Sequence, residues 1–180
     1  MCLLLQAAWV PLKAELAQWL IERSWQAALQ GEGAVPPWPW ADTRAAAVLN
    51  VPRHAVRLVV LAGNSGRNLA FGPVFLDGLE NSLDQVISGH RDTHFRFLQQ
   101  LETGDRVQLT LPGGSRWYEI VERDVIDSRS RQLVLDPGME RLSLVTCYPF
   151  DTPTAGGPLR YVVTALPVTN GTSRRSPSSG

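Results

Sequence analysis

The sequence predicts a mainly β fold, a closed or nearly closed barrel of eight short strands preceded by one N-terminal helix. Three observations carry this reading. From about residue 48 the chain divides into short β-prone runs separated by turn residues, the clearest of these runs alternates apolar and polar side chains, and a helical apolar period persists only near the N-terminus. Eight such runs within about 115 residues have the spacing of a barrel.

The elements follow in order. Residues 1–33 read as a helix or as the stub of a membrane anchor. MCLLLQAAWVPL (1–12) is largely apolar but ends at Lys13, well short of the roughly 20 residues that span a bilayer. Pro11 is tolerated in a first helical turn, and Leu12, Leu16, Trp19 and Leu20 then recur at i, i+4, i+7 and i+8, one stripe on a helix closing near Gly31. Residues 34–47 form a Pro/Trp-rich arm, too proline-rich in AVPPWPWADT for helix or central strand, with Trp38 and Trp40 expected to pack on the body.

The barrel occupies 48–168, with strands expected at 56–62, 69–76, 85–88, 106–111, 117–125, 132–135, 141–146 and 159–166. Val107, Leu109 and Leu111 alternate with Arg106, Gln108 and Thr110, the period of a half-buried strand, and Pro112-Gly113-Gly114-Ser115 turns the chain into the next. A short helix is expected at 93–101, where Phe97 and Leu101 share a face with His94. Residues 169–180 are polar and aperiodic and should be disordered; Asn170-Gly171-Thr172 there fits a glycosylation sequon.

Composition narrows the function. Acidic and basic residues balance at 17 each, which argues against nucleic acid or an anionic surface as the main partner. Lys13 is the only lysine, so the basic side is almost all arginine. Two cysteines cannot staple a disulfide-rich scaffold, and neither a C-x-x-C nor a Cys/His cluster occurs, so Cys147 is read as a free thiol, Cys2 as incidental, and no cofactor is called for.

Three segments carry chemistry: SGHRDTHF (88–95), LSLVTCYPF (142–150) and GPLRYVVTAL (157–166). Each places a reactive side chain at a strand end: His90 after Gly89, Cys147 closing RLSLVT, and Arg160 opening the last strand. A barrel gathers strand ends at its rim, so the three can converge on one groove. A free thiol with a pKa of about 8.5 is mostly protonated at neutral pH, and a cationic neighbour favours the nucleophilic thiolate. An imidazole can exchange protons with leaving and incoming amines, and a guanidinium can donate to the oxyanion of a tetrahedral intermediate. Singly, each residue would be unremarkable; their order and context give them weight.

In that context the sequence resembles the sortase family. Gly89-His90 early in the barrel, the Leu-x-Leu-Val-Thr-Cys strand, and Arg160 ahead of Val-Val-Thr-Ala look like its signature. The resemblance covers roughly residues 38–168 and is densest in LAFGP (69–73), SGHRDTHF and VTCYPF, which look most like sortases of Gram-negative marine bacteria. It implies an eight-stranded sortase-type β-barrel and a cysteine transpeptidase that cleaves an LPXTG-like C-terminal sorting signal through a thioacyl enzyme, passing the acyl group to an amine. Residue by residue it implies His90 as acid/base, Cys147 as nucleophile, Arg160 as oxyanion or substrate donor, and Thr146 in the substrate groove. The implied partner is a protein bearing a sorting signal, and the implied location is the periplasmic side of an inner membrane, reached through the N-terminus.

Other readings are weaker. His90 and His94 at i, i+4 could bind zinc with Cys147, but Gly89-His90 precedes the expected helix, and Asp92 or Thr93 is better read as that helix's cap. L,D-transpeptidases set their cysteine after Ser-x-Gly rather than Leu-Val-Thr, and papain-like proteases place Cys before His. The rival of a different class is a noncatalytic, envelope-associated, peptide-binding barrel with an inert Cys147.

Overall fold

The computed structural model describes residues 2–63, 65–76, 78–152 and 156–168, with side chains from residue 14 onward. The expected disordered tail with its sequon, and the side chain of Cys2, lie outside the described residues. Helix α1 (Cys2–Leu29) leads into β1 (Ala45–Val51), β2 (Val56–Leu61), a one-turn helix α2 (Gly66–Leu69), β3 (Val74–Phe75) and β4 (Asp84–Ser88). A 3-10 turn (Arg96–Gln100) follows, then β5 (Arg106–Leu111), β6 (Gly114–Asp127), β7 (Arg141–Cys147) and β8 (Leu159–Pro167). Among the described residues eight strands pair in the order β1-β2-β3-β4-β7-β8-β6-β5, and β5 pairs back onto β1, so the barrel closes. The expected architecture is therefore present.

Several elements differ from expectation for identifiable reasons. β1 lies partly in the stretch read as an arm. AAAVLNV neither alternates nor favours strand by composition, because the strand is buried on both faces, its outer side covered by Trp25 of α1 against Ala45 and Val48. The run at 132–135 forms no strand; it sits in an exposed loop where Val134 is 81% exposed. Within 69–76 only Val74–Phe75 is strand, since the α2 turn occupies its start and Pro73, whose carbonyl accepts from Leu61 N, has no N–H to donate. The stretch 93–101 makes turns and a 3-10 segment instead of an α-helix.

Helix α1 also presents a different face. Leu16 and Trp19 are more than half exposed, while Ile21, Ser24 and Trp25 are buried. Polar anchors help select that face: Ser24 Oγ donates to Val35 O and accepts from Ala45 N, and Glu22 takes both Nη1 and Nη2 of Arg57 at 2.9 Å. Pro11 falls inside the helix and not in its first turn. No helix among the described residues is long and apolar enough to cross a membrane. Trp38 packs edge-on against Phe71 at 4.9 Å between ring centroids, whereas Trp40 is 83% exposed.

Strand alternation separates two apolar clusters. Leu142, Leu144, Val163 and Ala165 point into the barrel with Phe75, Ile87, Phe95 and Tyr118. Val145, Val162, Val86 and Ile126 lie on the outer face, flanked by Leu76 and Leu79. At one end of the barrel the buried Asp84 pairs with Arg141, its partner in the parallel β4/β7 register, and accepts from Arg141 Nε at 3.0 Å and from Asp136 N at 2.8 Å. Arg141 Nη2 also donates to Val134 O at 2.8 Å, so this ion pair fastens the 128–140 loop. At the opposite end, the close of β4, the close of β7 and the start of β8 meet at one rim.

Candidate active site

That rim holds the three residues singled out by sequence. Cys147 of β7 lies directly opposite Arg160 of β8. Tyr148 N donates to Leu159 O at 3.1 Å, which makes 148/159 a hydrogen-bonded pair and 147/160 the non-hydrogen-bonded kind. In such pairs Cα atoms approach to about 4.5 Å and opposed side chains lie nearest. By parity with Val145 and Val162, both side chains belong to the outer face, and the outer apolar cluster leads along the strands to them. Cys147 is a partly exposed free thiol.

His90 reaches the same place from β4. Past the last paired residues, Ser88 and Val145, Gly89 N donates to Val145 O at 3.1 Å and Thr146 Oγ1 donates to Gly89 O at 2.7 Å. Exposed His90 lies two residues past Ser88 at the close of β4, as Cys147 lies two residues past Val145 in β7, so both stand at the same rim. Thr146, expected in the substrate groove, is buried, with its hydroxyl committed to the Gly89 carbonyl. Arg160 is held by its own loop, Nη1 donating to Gly157 O at 2.6 Å and Leu159 O at 2.9 Å. A guanidinium carries five N–H donors in a planar fork, so these bonds orient it while using only part of its capacity.

Gly89 is required by packing. A Cβ there would stand 2.7 Å from Cγ of the buried Phe95 ring, and Phe95 N in turn donates to His90 O at 2.9 Å. Gly89→Ala must displace that ring or the backbone beside His90. Overpacking of this kind costs about 1–3 kcal/mol, so thermal denaturation should show a midpoint lowered by several degrees, with slower turnover in the folded fraction.

His94 is half-buried close enough to His90 to feel its charge. Burial first, and His90 second, hold its pKa below the ordinary 6.5. The unfolded chain therefore takes up a proton near pH 6.5 while the folded one does so only at lower pH. The stability associated with neutral His94 is complete above about pH 6.5 and is lost as pH falls toward the folded pKa. Urea midpoints measured from pH 7.5 down to 5.5 should decline, and His94→Gln should flatten that decline. No group of three His, Cys, Asp or Glu side chains suited to a metal ion occurs among the described residues, His90, His94 and Cys147 included.

Two features of the rim escaped sequence reasoning. Tyr148, Phe150 and Tyr161 form an aromatic cluster, with Tyr148 stacked on Tyr161 at 6.2 Å and Phe150 edge-on to Tyr161 at 5.2 Å. Arg91, beside His90, is 6% exposed. The aromatics were visible only as neighbours of Cys147 and Arg160, and nothing in the sequence marks a buried arginine beside an exposed histidine.

A family model described as the sortase domain matches residues 49–168, from within β1 to just past β8. The chain belongs to the sortase family. Sortase D of Bacillus subtilis (strain 168) is 33% identical over 130 residues, covering 70% of this chain and 65% of that protein. This sortase chain thus spans just under two thirds of the length of that curated relative. A sortase D5 transpeptidase of Clostridium perfringens matches in fold with a TM-score of 0.67 at 19% identity, covering 86% of this chain and 99% of that one. Sortase A of Corynebacterium diphtheriae gives a TM-score of 0.61 at 20% identity, with 87% and 86% covered.

These relatives correct one expectation. They come from Gram-positive bacteria, so the likeness to sortases of Gram-negative marine bacteria does not stand. The segments that suggested it, LAFGP, SGHRDTHF and VTCYPF, include the rim residues of the barrel, and site-building residues do not report envelope type. The periplasmic, inner-membrane location rested on that likeness and falls with it, since the relatives are enzymes of Gram-positive bacteria.

Proposed function

We propose that this sortase chain is a cysteine transpeptidase acting on a protein with an LPXTG-like C-terminal sorting signal. The observation that supports this most is the pairing of Cys147 with Arg160 across β7 and β8, at the rim where β4 ends two residues before His90. In this reading the Cys147 thiolate attacks the threonine carbonyl carbon of the Thr–Gly bond. Arg160 donates to the oxyanion, an interaction worth about 3–4 kcal/mol in the transition state. The tetrahedral intermediate collapses as protonated His90 gives its proton to the departing glycine amine, leaving a thioacyl enzyme. An incoming amine then attacks the thioester, His90 takes its proton, and the new amide leaves with the thiolate restored. Water in place of the amine gives hydrolysis.

The outer apolar cluster of Val86, Val145, Val162 and Ile126 offers a floor for the peptide's apolar residues on the approach to Cys147. Thr146 contributes from beneath, holding the end of β4 through Gly89. Mass spectrometry of the protein mixed with LPXTG-type peptides, with and without an added amine, tests the proposal. The expected result is an acyl adduct confined to Cys147 that the amine discharges into a new amide. Slow, unselective alkylation of Cys147 with no acyl adduct would favour the noncatalytic peptide-binding barrel instead.

A further inference from the structure

Arg91 follows His90 directly, yet its side chain turns away from solvent while His90 stays exposed. Its guanidinium donates from Nη1 to Pro149 O at 2.6 Å, from Nη2 to Thr152 O at 2.9 Å, and from Nε to Asp92 Oδ1 at 3.0 Å. Pro149 and Thr152 lie two and five residues beyond Cys147, in the connection that leads to β8 and Arg160. Removing a guanidinium from water is costly, and the Asp92 side chain is itself 68% exposed, so it screens the charge only partly. Two carbonyls presented to a planar fork offset much of that cost, and a lysine ammonium cannot reproduce the geometry.

The placement of this clamp is specific. Before the two site residues, β4 and β7 are joined by Gly89 N to Val145 O and Thr146 Oγ1 to Gly89 O. After them, Arg91 joins the same two chain segments again. His90 and Cys147 therefore lie between two cross-links, one on each side. We propose that Arg91 is a positioning residue of the sortase site, holding the segment after Cys147 against the segment after His90 and so fixing the spacing of thiol and imidazole. The proposal rests on the transpeptidase reading above, and it assigns Arg91 no contact with substrate.

Steady-state acyl transfer by wild type, Arg91→Lys and Arg91→Ala tests it, alongside thermal denaturation of each and mass spectrometry of the adduct. Misplacement of a reacting pair by about 1 Å can cost on the order of 10²-fold in rate. Arg91→Ala should lose about that much in kcat and Arg91→Lys roughly tenfold, with KM for the peptide changed less than about threefold. Arg91→Lys should remain folded at the assay temperature, which separates a positioning effect from loss of the native state.

Wild-type kcat in Arg91→Lys would overturn the proposal, as would a loss confined to KM or one equal to the unfolded fraction. Those outcomes leave the Cys147 adduct of the wild type, and the transpeptidase reading, intact. Absence of a wild-type adduct would instead overturn the transpeptidase reading and this proposal with it.

Discussion

Cys147→Ala is expected to abolish acyl transfer while leaving the barrel folded. The thiol is partly exposed at the end of β7, on the outer face and away from the packed interior, so its removal opens no cavity in the core. No other cysteine is present apart from Cys2, and neither the His90 ring nor the Arg160 guanidinium can replace the attacking sulfur. Turnover should drop to the background of the peptide alone, the acyl adduct should vanish from the mass spectrum, and the denaturation midpoint should stay within about 2 °C of wild type. His90→Ala should be nearly as severe. Arg160→Ala should lower kcat by about 10² to 10³, the range for loss of an oxyanion donor. A Cys147→Ala protein that still cleaved a sorting peptide would remove the mechanism.

Asp84→Ala is expected to give the largest loss of stability among the changes considered. Asp84 is fully buried, and its carboxylate receives both the Arg141 side chain and the Asp136 N–H. Removing it strands a guanidinium whose pKa the carboxylate had raised, and leaves Asp136 N without that acceptor. Breaking a buried ion pair from one side costs about 3–5 kcal/mol. The low end applies here, because the Arg141 side chain keeps 22% of its exposure and can draw in water. Chemical denaturation should report a loss of about 3 kcal/mol, and limited proteolysis should cut first within 128–140, where Arg141 also holds Val134 O. Asp84→Ala combined with Arg141→Met should recover part of the loss, since no buried charge then remains. A single variant as stable as wild type would show that the pair is not a fastening point.

The barrel and its rim were legible because both depend on local pattern. RVQLTL alternates and forms β5 at the expected bounds, and the runs around Cys147 and Arg160 form β7 and β8. His90, Cys147 and Arg160 all lie at strand ends, and a closed sheet brings such ends together. What was not legible depended on partners distant in sequence. AAAVLNV becomes a strand because α1 covers it, a contact that no local pattern encodes. QLVL has strand composition but lies in a loop, tied at Val134 O by Arg141. The Leu16 and Trp19 stripe has helical spacing, yet the face carrying Ile21, Ser24 and Trp25 meets the barrel. Arg91 was missed for the same reason, since its partners lie 58 and 61 residues away.

Strand β7 serves two masters through alternation alone. Leu142, Leu144 and Thr146 belong to the interior, and Val145 and Cys147 to the outside. Substitutions at the two leucines can accumulate with little effect on the outer face, so packing and chemistry can drift independently there, Thr146 excepted because its hydroxyl holds Gly89 beside His90. Length changes have no such freedom: deleting Ser143, for example, would turn the thiol toward the core and Leu144 toward the outer face. The strand should tolerate many replacements and almost no insertions or deletions, and related chains should differ in its spelling far more than in its length.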